Sequence, residues 1–354
     1  MNAFLPLNRI PNNNMESYNF FKMKTTRCVI CHFIIGSTFI TSGSLHAQHY
    51  PTGSEGIKAG SSPAPGFSAE DGNSFYYADK ATGTWSALSD FSEFNYVQTP
   101  RLAWVSDWKI LGANYGAAVR VPIAYKEISF KAPPAPPGLG AFPGQPGTSS
   151  SGTVTVHEFG LTDIEIEPVM LSWQLKHFDI KAGYSVWAPT GDHDVNTFYL
   201  IRLGEDCWTH VFTLGSTWYP DTEKTWAVSI LGHYEINTEQ FLQSVPAPGS
   251  ATVSQYDTLG DTFTLEWAAS KTIFDGLDIG LSGYYQQQVT DTQLPSSISH
   301  SYLNELVDVA GVGPEVDYAL PKWGLTAALR YAYEFTSNDR PQGNQITLVL
   351  KKTF

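Results

Sequence analysis

The chain has 354 residues, of which 42% are hydrophobic, 14% aromatic and only 16% charged. That mixture is too aromatic and too weakly charged for an unfolded chain. The formal net charge of −13 argues against a nucleic-acid partner, because phosphate binding needs clustered Lys and Arg.

Met23 opens the run MKTTR, which is followed by CVICHFIIGSTFITSGS and then SLHAQ. A basic stretch, an apolar stretch and a small residue before a cut after Ala47 predict an export signal over 23–47. Leu45 meets the cleavage rule only loosely. Residues 1–22 then read as a mis-assigned start rather than as structure. Cys28 and Cys31 fall inside the signal, so export leaves Cys207 alone and allows no intrachain disulfide. Beyond residue 47 no run of 18 apolar residues occurs, so a membrane location requires a barrel and not a helix.

Residues 48–72 are rich in Gly, Pro and Ser and have no hydrophobic period. Strands are predicted near 73–80, 91–106, 108–130, 153–176, 178–188, 207–219, 224–237, 261–274, 277–291, 313–320, 323–336 and 343–354. In 323–336, Trp323, Leu325, Ala327, Leu329, Tyr331, Tyr333 and Phe335 share one face, opposite Thr326, Arg330 and Glu334. Strand 153–176 changes parity between Ile166 and Leu171, and Pro168 between them predicts a bulge. The last strand alternates through Ile346, Leu348 and Leu350 to a terminal Phe354. This is the expected closing strand, and the element that barrel-assembly machinery would recognise.

Connections near Ser106-Asp107, His177, 220–223, Asp275-Gly276 and Pro321-Lys322 are short. Those at 81–90, 131–152, 189–206, 238–260 and 292–312 are long. This alternation predicts an all-β fold: an antiparallel transmembrane β-barrel of about 12 strands over 73–354, with short periplasmic turns and long outer loops. Outer-membrane lipid is then its first partner. Trp104, Trp108, Trp173, Trp218, Trp226 and Trp323 gather near the short turns, as an interfacial girdle would.

A charge facing lipid at mid-depth costs about 2–4 kcal/mol, so charged residues inside the alternating strands should face the lumen. The lumen candidates are His233, Glu235, Glu266, Gln286, Gln288, Arg330 and Glu334. They either stabilise the wall or line a path, and both roles are compatible. The segment 48–72 is either a lumen plug, through His49, Tyr50, Pro51, Gly53, Glu55, Gly56, Pro65, Gly66 and Phe67, or a periplasmic tail. In loop 292–312, Tyr302, Leu303, Leu306, Val307 and Ala310 could form a short amphipathic helix at the mouth.

Asp192, Asp194 and Asn196 have the spacing that opens a calcium loop, but the glycine and distal glutamate of that loop are missing, so no metal is assigned. The same stretch reads as a solvated turn, or as a fragment of a hydrolase site around Asp192-His193. No phosphate loop, nucleophile elbow or cofactor motif occurs, and no cofactor is expected.

His49-Tyr50-Pro51-x-Gly53-x-Glu55-Gly56, then Pro63-x-Pro65-Gly66-Phe67 and Tyr76-Tyr77, resemble the opening of an outer-membrane family of transporters of the meta-pathway of phenol degradation. Downstream, Asp163 to Trp173, Tyr184 to Gly191 and Gly280 to Asp291 resemble its later strands in the same order. The resemblance implies a channel for passive uptake of small hydrophobic or aromatic compounds. A barrel hydrolase and a secreted carbohydrate-binding β-sandwich are the alternatives.

Overall fold

The computed structural model describes residues 49–131, 152–192, 201–246, 252–293 and 306–354. Its strand segments are β1 Gly66–Ala81, β2 Ser89–Ile110, β3 Ala113–Arg120, β4 Ile123–Lys131, β5 Thr153–Leu161, β6 Ile164–Gln174, β7 Phe178–Ala188 and β8 Thr209–Trp218. They continue as β9 Trp226–Asn237, β10 Glu239–Pro246, β11 Thr252–Thr258, β12 Thr262–Phe274, β13 Leu277–Gln288, β14 Asp308–Leu320, β15 Leu325–Asn338 and β16 Pro341–Thr353. Segments β10 and β11 form a separate hairpin. Segments β3 and β4 both pair with β2, and β6 and β5 take the next position against them. Each of these two pairs is therefore one stave of the wall with a kink in it.

Counted by staves, the wall is a closed antiparallel barrel of twelve strands. Closure is direct: β1 pairs with β2 on one side and with β16 on the other. Along the seam, Phe75 faces Ile346, Asn73 faces Leu348 and Asp71 faces Leu350. The Phe354 N–H donates to Phe67 O at 2.9 Å. A sandwich is excluded, since one continuous sheet leaves no open edge.

The pleat sorts the side chains. Leu329, Tyr331, Tyr333 and Phe335 are exposed on the outside, while Arg330 and Glu334 on the same strand are buried. Pro168 works as expected: the register shifts there against both β3 and β7. Glu165 and Glu167 are buried before the shift, and Met170 and Ser172 after it. Proline has no N–H to give the ladder, so the bulge falls where a ladder bond is already missing. An apolar exterior, a polar interior and full closure make this a barrel of the outer membrane.

The turn end carries exposed Trp108, Trp218, Trp226, Trp323 and Phe354. Lys271 lies over the Trp226 ring at 4.8 Å. The exception to the loop alternation is the short outer turn at Asp339 and Arg340, between β15 and β16.

Several boundaries differ from expectation. The first strand begins at Gly66, so Gly66 and Phe67 belong to the wall and not to a plug. Phe67 packs outside against Trp104, with centroids 6.4 Å apart. The Gly/Ser-rich composition hid a strand whose inward side needs no apolar residues. The first short turn lies at Leu111-Gly112, not at Ser106-Asp107. Both residues have positive φ, 51° and 83°, and glycine adopts that conformation without strain. Ala310 lies in β14 and not in a helix. Residues 302 and 303 of that proposed helix lie outside the described residues.

Candidate functional site

Residues 49–65 run through the lumen from the loop end to the turn end. At the loop end, His49 Nε2 contacts Asp163 Oδ2 at 2.7 Å, and Nδ1 meets the Thr209 hydroxyl at 2.8 Å. The Asp163 carboxylate also accepts the N–H groups of Thr190, Gly191 and Glu205. It therefore ties the segment to the irregular stretches flanking β7 and β8. At the turn end, Lys58 pairs with Asp278 at 2.6 Å, and Ser61 meets the Tyr219 hydroxyl at 3.0 Å. The chain then reverses through Ser62 to Pro65, which is exposed, and enters β1.

A segment without regular structure must satisfy its backbone elsewhere, and the wall supplies the partners. Glu235 accepts the N–H groups of His49 and Tyr50 at 2.9 and 3.3 Å. Glu266 accepts the Glu55 N–H at 3.0 Å, and Glu315 the Ile57 N–H at 3.1 Å. In the other direction, Arg330 Nη1 donates to Gly53 O and Ser54 O at 2.9 and 2.6 Å. Gln286 donates to Tyr50 O and Gln345 to Thr52 O. Gly60 passes so close to β8 that a Cβ there would lie 2.2 Å from the Ser216 carbonyl carbon. Gly56 is equally confined, against Glu315.

Charges in the lumen are mostly paired, as burial demands. Arg330 holds Glu315 at 3.0 Å, Arg101 holds Glu167 at 2.6 Å, and Arg120 holds Glu165 at 3.2 Å. The Glu55 carboxylate of the segment points toward the Arg120 side, 4.0 Å from its guanidinium. Glu334 accepts the hydroxyls of Tyr76 and Tyr284 and the Gly343 N–H. Beside the segment, a cavity lined by Gly53, Glu55, Tyr284, Arg330 and Gln345 offers about 10 Å³, room for one water. Toward the loops the inner wall turns apolar: Phe91, Ile128 and Phe130 pack with Trp85, Ile201 and Leu203.

All seven lumen candidates (His233, Glu235, Glu266, Gln286, Gln288, Arg330 and Glu334) are buried on the inward side. All but Gln288 and Glu334 meet segment 49–65 directly. Gln288 instead bonds Thr290 O and the Thr292 hydroxyl near the rim. Asp163, Glu315 and the Arg101–Glu167 and Arg120–Glu165 pairs were not anticipated. Alternation could have found Glu165 and Glu167, which occupy every second place before Pro168. Asp163 sits in a kink, where no periodicity applies. His193, Asp194 and Asn196 lie outside the described residues, so neither the calcium nor the hydrolase reading has a described site.

A closed barrel with an apolar outside and a polar inside, its lumen occupied by residues 49–65, is an outer-membrane β-barrel. The chain belongs to the family described as "Putative MetA-pathway of phenol degradation", which matches residues 80–350. The fold is similar to that of an outer-membrane channel from Pseudomonas putida F1, with a TM-score of 0.61 and 13% identity. That match covers 87% of this chain and 100% of the other. Weaker likenesses are to the β domain of the Bordetella autotransporter BrkA (TM-score 0.41, 13% identity, covering 82% and 100%) and to a deletion mutant of the monoaromatic hydrocarbon channel TodX (0.39, 12%, covering 82% and 91%). No curated protein matches the sequence.

Proposed function

We propose that the protein is a passive outer-membrane channel for small hydrophobic or aromatic compounds, held shut by residues 49–65. The observation that carries this reading is the segment itself. It occupies the lumen from one end to the other, held there by hydrogen bonds, ion pairs and two ring stacks, Tyr50 on His233 and His49 on Trp187. Such bonds exchange readily with water, so the segment can leave without breaking the wall. The apolar patch around Phe91, Phe130 and Trp85 suits a solute arriving from outside. Family membership supports a role in the handling of aromatic compounds. The hydrolase alternative rests on His193, and no observation favours it.

The test is single-channel conductance in lipid, with and without residues 49–65. The deletion must stop at Pro65, because one running to Gly72 would remove much of β1 and open the seam. Conductance is expected to rise on deletion. An unchanged current from a folded barrel would overturn the proposal.

A further inference from the structure

The inner wall contains a slot for an aromatic ring that carries a hydroxyl group, and the segment fills it with Tyr50. The Tyr50 ring stacks on the His233 imidazole, with centroids 3.8 Å apart and planes inclined by 26°. Its hydroxyl donates to Glu266 Oε2 at 3.2 Å. Gln286 closes the slot, donating to Tyr50 O and to the Thr264 hydroxyl. Tyr50, His233, Glu266 and Gln286 are all buried.

The three wall residues stand on neighbouring strands in fixed register. Thr264 of β12 lies opposite His233 of β9 and opposite Gln286 of β13. Glu266 is two places along the same inward face of β12. The slot is thus built on the wall strands, and Thr264 holds Gln286 there from the wall side. Its hydrogen-bonding capacity also exceeds what Tyr50 uses. Glu266 Oε1 and His233 Nε2 have no partner among the described residues. A ring with one hydroxyl leaves the second carboxylate oxygen idle, and a ring with two adjacent hydroxyls can engage both. A ring with none would leave Glu266 only the Glu55 N–H and no hydroxyl donor, a loss that sites of this kind discriminate against.

We propose that this slot recognises hydroxylated aromatic solutes, phenols and catechols, and that such a solute competes with Tyr50 for it. A ligand that binds only when Tyr50 is out shifts the segment toward release. This second half rests on the reading of 49–65 as a plug; the slot itself does not.

The experiment measures binding of phenol, catechol and toluene to the purified full chain in detergent, by calorimetry or saturation-transfer NMR. Tyr50→Ala, which empties the slot, is expected to bind phenol at least about tenfold more tightly than the unsubstituted protein, and catechol more tightly than phenol. Adding Glu266→Met should weaken phenol by about tenfold, the value of one buried hydrogen bond, and leave toluene unchanged. Equal phenol affinity with and without the Tyr50 ring, or indifference to Glu266→Met, would overturn the slot. Heat-modifiable gel migration checks folding. Should Tyr50→Ala not fold, Tyr50→Phe keeps the ring and loses only the bond to Glu266, and phenol should then open the channel at lower concentration. If the binding pattern holds but phenol never changes the conductance, competition for release is overturned while the slot stands.

Discussion

Arg330 anchors the segment to the wall through two charge-assisted bonds, and its removal has a calculable result. Its Nη1 holds two segment carbonyls, Gly53 and Ser54, while Nε and Nη2 hold Glu315 at 3.1 and 3.0 Å. Arg330→Met alone would strand the buried Glu315 carboxylate, at a cost of about 3–5 kcal/mol, and would confuse plug release with loss of barrel stability. The informative variant is Arg330→Met with Glu315→Gln, which keeps an acceptor for the Ile57 N–H. It removes two charge-assisted bonds to the segment, each worth about 1.5–3 kcal/mol. Taking the lower value for both gives about 3 kcal/mol, or a rise of about a hundredfold in the released population. Single-channel recording reads this as the fraction of time spent at the higher conductance level. An unchanged fraction in a double variant that still migrates as a folded barrel would refute the assignment of Arg330 as an anchor.

Three further perturbations separate plug, wall and turn. Gly60→Val forces a side chain into the β8 backbone at Ser216, so it should raise conductance while leaving the unfolding midpoint of the barrel unchanged. Leu329→Arg puts a charge on the exposed lipid face of β15 and should cost about 2–4 kcal/mol in urea unfolding from lipid vesicles. In the periplasmic turn, Asp221 accepts the Trp226 and Thr225 N–H groups and the Thr225 hydroxyl. Led by the bond from Trp226, these hold its carboxyl down at about 2. A depressed carboxylate contributes fully above its ordinary value near 4 and loses that contribution as pH falls toward 2. Amide protection at Trp226 should therefore drop across that interval in the natural protein, and be low throughout in Asp221→Ala.

The wall was legible in the sequence because lipid enforces a period of two on every strand it touches. The faces of β15 could be assigned residue by residue, the inward charges of β9 and β12 could be picked out, and Pro168 announced its own bulge. Legibility ended where that constraint ended. On β1 the inward residues Ser68, Glu70 and Gly72 are small or polar, and its outward Phe67 read as part of the irregular segment 48–72. The kink at Asp163 breaks the period, so the carboxylate that clasps His49 carried no signal beyond its type. The path of 49–65 was not legible either. An irregular segment is positioned by partners on eight or more other stretches of chain, and no local pattern records them.

Charge in the open lumen yields the last prediction. Arg330 lies on the same side of the wall as Glu315 and Glu334, and Glu266 adds to the field at its guanidinium. Once residues 49–65 are absent, water takes the place of the segment N–H groups at Glu235 and Glu266. Those carboxylates then face the passage without the donors that now hold them. Arg330 is one of the lumen cations, with Arg101 and Arg120, and Arg330→Glu in the deletion background should shift the reversal potential in a KCl gradient toward cations. The shift should shrink as salt rises from 0.01 M toward 1 M, because the screening length falls from about 30 Å to about 3 Å. A reversal potential that stays the same at both salt concentrations would mean that the ions travel past a different wall, and that Arg330 faces something other than the conducting path.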